Sequence, residues 1–122
     1  MFVHWCSMRV GIFGGGQLAQ MLVQAAISLG IEIVICERVP DSPAARYTQY
    51  TVVGPGEDEA VLAAFARQCD VVTLENEFID ARLLRRVEEL GTPVWPSPAT
   101  VAVVQDKLSQ KERLVAAGLA VP

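Results

Sequence analysis

Apolar positions in this chain alternate between two textures. Short, mostly apolar runs rich in β-branched residues, at 8–13, 31–36, 50–53 and 70–74, predict buried strands. Between them lie longer stretches with helical spacing. In the first, Leu18, Met21, Leu22, Ala25, Ala26 and Leu29 recur at intervals of three and four, predicting a helix over 17–29 that Gly30 stops. Further helices are predicted over 57–68, with acidic residues in the first turn, and over 80–90, stopped by Gly91. Residues 37–46, with two prolines, read as a surface loop, and 93–95 as a last short strand. Helical patterning returns from 99 to 104 and from 108 to 117, ending at Gly118. Strands alternating with helices predict an α/β fold: a Rossmann-like parallel sheet with helices on both faces.

The composition agrees with one such domain. Of 122 residues, 52% are hydrophobic and 20% charged, enough to build a core without disulfides or metal. A net charge of −4 argues against a nucleic-acid or anionic-membrane partner, and no run is long and apolar enough to span a bilayer. Cys6, Cys36 and Cys69 are scattered without C-x-x-C spacing, which reads as reduced thiols in a cytoplasmic protein and predicts no metal site. Residues 1–7 read as an N-terminal extension. His4 falls there and receives no catalytic role, and no catalytic residue is assigned elsewhere.

Two segments carry candidate chemistry. Gly14, Gly15, Gly16, Gln17, Leu18 and Ala19 fit G-x-G-x-x-A between a strand and a helix, where bare amides could meet an anion. Glu37 ends the second strand, where a dinucleotide's ribose would find its carboxylate; on these residues an NAD(P)-binding oxidoreductase domain is one reading. A tight turn without any ligand is another. Glu75 and Glu77 close the fourth strand; two apart in extended chain, they would point the same way, and carboxylates suit a ribose diol. Ordinary solvated acids would look the same.

In order along the chain stand Gly14-Gly-Gly-Gln-Leu18, Pro40-Asp-Ser-Pro-Ala-Ala45, Cys69-Asp-Val-Val-Thr73 with Glu75 and Glu77, Pro96-Ser-Pro98, and Gln105-Asp-Lys-Leu-Ser-Gln-Lys111. This ordered set, covering residues 8–122, resembles the N-terminal pre-ATP-grasp domain of the N5-carboxyaminoimidazole ribonucleotide synthetases, the ATPase subunits of phosphoribosylaminoimidazole carboxylase. The resemblance implies an ATP-grasp ligase of purine synthesis that uses ATP with Mg and bicarbonate to carboxylate 5-aminoimidazole ribonucleotide through carboxyphosphate. It implies a homodimer at full length. By the same resemblance Gly14–Gly16, Gln17, Leu18, Glu75 and Glu77 would bind the ribonucleotide and Lys107 would reach ATP. Residues 8–105 would form the Rossmann-like domain and 106–122 a helical lead-in to an ATP-grasp domain that lies beyond this chain, leaving the chain alone catalytically incomplete. Ala19 departs from the family's usual glycine, and Asn76 and Phe78 from its Glu-Phe-Glu-Asn order. A free-standing nucleotide-sensing module ending at Pro122 is the reading from another class.

Overall fold

The computed structural model describes residues 7–122; the expected extension, with His4 and Cys6, lies almost wholly outside them. Four parallel strands, β1 (Arg9–Phe13), β2 (Glu32–Glu37), β3 (Tyr50–Val53) and β4 (Val71–Leu74), form one sheet in the order β3-β2-β1-β4. Helix α1 (Gln17–Ser28) links β1 to β2, and α2 (Glu59–Ala66) links β3 to β4. Helices α3 (Ala81–Glu89), α4 (Pro98–Gln105) and α5 (Lys107–Ala116) follow. This is the Rossmann-like α/β architecture that the alternation predicts. The order switches sides at β1, so the crevice at the carboxyl ends of β1 and β4 is where such sheets receive ligands.

Strand alternation sorts the core into two layers. Ile12, Ile33 and Ile35 pack against Ala19, Val23 and Ala26 of α1 and against Ala44. Phe13, Val34, Cys36 and Val72 face the other way, onto Leu62 and Phe65 of α2, Leu84 and Val87 of α3 and Val101 of α4. The Phe13 and Phe65 rings meet at 4.8 Å between centroids. Gly11 has no room for a side chain there, since a Cβ would sit 2.7 Å from the Phe65 ring.

Three expectations need correction. The apolar spacing in α1 finds the helix but not its buried face: Ala19, Val23 and Ala26 are buried, while Met21 is 59% and Leu29 72% exposed. A glycine turn draws α1 close to the sheet, so small residues make the contact and the larger ones point outward. The strand expected at 93–95 is a single bridge from Val94 to Val72. Pro93 and Pro96 have no N–H to extend it, leaving only Val72 N–H to Pro93 O (2.8 Å) and Trp95 N–H to Val72 O (2.9 Å). Within the expected loop 37–46 a 3₁₀ turn begins, Ala44–Tyr47, with Ala44 fully buried.

Helix starts follow the sequence closely. Asp58, Ser97 and Asp106 accept from first-turn amides of α2, α4 and α5, and Asp80 does so for α3. Arg86 of α3 pairs with Glu59 and Glu89 on the solvent side. Helix α5 buries no residue at all. Among the described residues no helix is long and apolar enough to cross a membrane.

Candidate functional site

The glycine turn is built by three neighbours. Gly14 has φ +97°, a conformation that a side chain would strain, and donates to Cys36 O at 3.0 Å. Gly15 is buried and both its backbone polar groups are taken. Its N–H donates to Glu37 Oε2 at 2.9 Å, and its carbonyl accepts from Ala44 N–H at 2.9 Å. Ser42, only 3% exposed, closes over it where a Cβ would stand. Gly16 is the N-cap of α1, the one helix without a capping side chain of its own among the described residues.

Glu75 supplies that cap from the end of β4. Its Oε2 accepts from Ala19 N–H at 3.0 Å, and its carboxyl fills the space beside the Cα atoms of Gly14 and Gly16. A carboxylate at a helix N-terminus is favoured by both the unpaired amides and the macrodipole. The amides of Gly16, Gln17 and Leu18 remain without a protein acceptor among the described residues. These are the donors the turn still offers.

Glu75 and Glu77 do not share a face. The chain leaves β4 at Leu74 and bends; Asn76 Oδ1 accepts from Phe78 N–H at 2.9 Å, closing a small turn. The extended geometry that would align the two carboxylates therefore stops before either. Glu75 lines a cleft of about 410 Å³ at the strand ends, together with Gly14, Glu37, Arg38 and Glu57. Glu77 lines an adjoining hollow of about 480 Å³ with Arg82, Gln105 and Lys107. Phe78, 85% exposed, and Asp80 line both.

The first cleft is acidic. Arg38 is its one lining cation and is engaged by Glu57, at 2.6 and 2.9 Å. Hydrogen bonds from Arg82 hold the Asp80 carboxyl below its ordinary range. Burial pushes the Cys36 thiol on the cleft lining up to about 11, so it is protonated at neutral pH and is no nucleophile; Cys69 is pushed up to about 12. Glu37, on the cleft lining, is already engaged by main-chain amides: one oxygen accepts from Arg38 N–H at 2.6 Å and the other from Gly15 N–H at 2.9 Å.

Sequence reasoning assigned no role to Ser42, Ala44 or Gln105. The first two lie in the Pro40–Ala45 motif and brace Gly15; Gln105 Nε2 donates to the carbonyls of Glu77 (2.7 Å) and Ile79 (2.5 Å), tying the end of α4 to the acidic loop. Their signal was their place in the ordered motifs. Lys107 opens α5 and is exposed, and Gln17 and Leu18 expose their side chains at the start of α1.

Fold and site together define a Rossmann-like domain whose glycine turn is served by carboxylates from neighbouring strand ends. The family model of the ribonucleotide synthetase preATP-grasp domain matches residues 7–105, and the chain belongs to that family. It is 42% identical over 114 residues to the N5-carboxyaminoimidazole ribonucleotide synthase of Synechococcus elongatus, covering 93% of this chain and 29% of that protein. The N5-carboxyaminoimidazole ribonucleotide synthetase structure from Thermotoga maritima superposes with a TM-score of 0.85 at 33% identity, over 94% of this chain and 32% of its own. The Aspergillus clavatus N5-carboxyaminoimidazole synthase, solved with ADP and 5-aminoimidazole ribonucleotide, gives 0.83 at 34% identity, over 93% and 30%. The chain thus spans less than a third of the length of these relatives.

Proposed function

We propose that this chain is the ribonucleotide-side domain of an ATP-grasp ligase. That enzyme joins bicarbonate to the amine of 5-aminoimidazole ribonucleotide, with ATP going to ADP and phosphate, and gives N5-carboxyaminoimidazole ribonucleotide. The observation that carries this reading is the glycine turn with Glu75 at its mouth, in a chain aligned over 93% of its length with a synthase of that name. In this reading Gly14–Gly16, Gln17 and Leu18 meet the ribonucleotide, with the unpartnered amides of Gly16, Gln17 and Leu18 on its polar oxygens, and Glu75 takes its ribose side. A substrate running past Phe78 would bring Glu77 within reach, since the two hollows adjoin there.

Lys107 is the ATP-side residue, a flexible ammonium suited to a phosphate oxygen. Residues 8–105 form the folded unit and 106–122 the lead-in to an ATP-grasp domain; the family match ending at residue 105 and the bare surface of α5 support that division. The Mg accompanying ATP would be held mainly by the ATP-grasp domain beyond residue 122, through carboxylates and the nucleotide's phosphates. At full length the protein is proposed to be a cytoplasmic homodimer, and the exposed Met21 and Leu29 of α1 offer apolar surface to a neighbouring domain or subunit.

In the oxidoreductase reading Glu37 would take the ribose, and each of its oxygens already accepts from a main-chain amide. Calorimetric titration of the chain separates the two. The ligase reading expects heat with 5-aminoimidazole ribonucleotide, weakened in Glu75→Ala, and none with NADH. Saturable NADH binding with no response to the ribonucleotide would reverse the assignment.

A further inference from the structure

Resting on that reading, we infer that Glu37 is a positioning residue for the ribonucleotide site. It holds the glycine turn in its ligand-ready shape without touching the ligand. Its two oxygens accept from two neighbouring strand ends, Gly15 N–H after β1 at 2.9 Å and Arg38 N–H after β2 at 2.6 Å. Gly15 is clamped from its other side by Ala44 N–H on its carbonyl and by buried Ser42 over its Cα. The turn is therefore a knot tied by β2, the 40–45 segment and β1.

Two consequences follow for recognition. With the Gly14, Gly15 and Ala19 amides consumed by Cys36 O, Glu37 and Glu75, a ligand meets only those of Gly16, Gln17 and Leu18. That is a narrow donor set at the head of α1. The Glu37 carboxylate also makes the space beside Gly15 a poor host for a dinucleotide's pyrophosphate, since an anion there would meet a like charge and an amide already donating to it. Glu37 thus both shapes the site and narrows what enters it.

The test uses the chain with 5-aminoimidazole ribonucleotide as probe. In the wild type the Gly15 amide should be protected from hydrogen exchange. Glu37→Ala should remove that protection while core amides such as Val34 and Val72 keep theirs, and should raise the ribonucleotide Kd about tenfold, the worth of a charge-assisted hydrogen bond. Glu37→Gln keeps one acceptor oxygen and should fall between. If Glu37→Ala does not fold, the wild-type exchange and Glu37→Gln carry the test. Three results would overturn the inference: an unprotected wild-type Gly15 amide, lost protection with unchanged affinity, or NADH binding that Glu37→Ala abolishes. A wild type that ignores the ribonucleotide would count against the ligase reading, and Gly15 exchange would still decide whether Glu37 ties the turn.

Discussion

The glycine turn and the acidic loop after β4 lie side by side at the same end of the sheet, yet they are made differently. At the turn, backbone groups are satisfied by fixed partners: Gly15 by Glu37 and Ala44, and Ala19 by Glu75. In the loop, Glu77 has no side-chain hydrogen bond among the described residues, and Phe78 lies almost fully in solvent. Beyond Glu75, among the described residues, the loop is tied by the local Asn76 turn, the Gln105 carboxamide and Ile79 packed against the core. One region is pre-shaped; the other keeps its side chains free for something that arrives.

If that contrast is right, the turn should resist change far more than the loop. Gly15→Ala drives a methyl into buried Ser42, and should cost about 3 kcal/mol of unfolding free energy in urea, at the upper end for overpacking. Gly14→Ala places a side chain at φ +97° beside the flexible end of Glu75, and should cost about 1–2 kcal/mol in the same measurement. Glu75→Ala removes the borrowed cap of α1 for about 1 kcal/mol, whereas Glu77→Ala should shift stability by less than about 0.5 kcal/mol. Equal costs at Glu75 and Glu77 would dissolve the comparison.

The smallest effect concerns the thiols beneath the turn. Folded Cys36 titrates near 11 against an ordinary 9.0, so the folded chain keeps a proton that the unfolded chain releases. Its contribution is whole below pH 9 and declines as pH rises from 9 towards 11. Cys36→Ala should flatten that alkaline decline, and native Cys36 and Cys69 should label slowly with iodoacetamide at pH 7.

Strand runs, glycine stops and the β–turn–α motif were legible because period and punctuation are local properties of the chain. The buried face of α1 was not: a helix apolar on both sides gives no periodic clue to which side meets the sheet, and the close approach set by the turn selects Ala19, Val23 and Ala26. Pairing Glu75 with the turn could be read from its place at a strand end. Separating Glu77 from it could not, because that depends on where β4 stops pairing and on the Asn76 turn. Glu37 was found as a carboxylate near the turn, but its role depended on which amides it reaches across two strands.

The most direct test of the central claim is an amide chemical-shift map of the chain titrated with 5-aminoimidazole ribonucleotide. The account predicts saturable shifts at Gly16, Gln17, Leu18 and Glu75, with Gly15 and the outer face of α1 little changed. Shifts confined to the outer face of α1, or none at Gly16–Leu18 and Glu75 at saturating ribonucleotide, would contradict it.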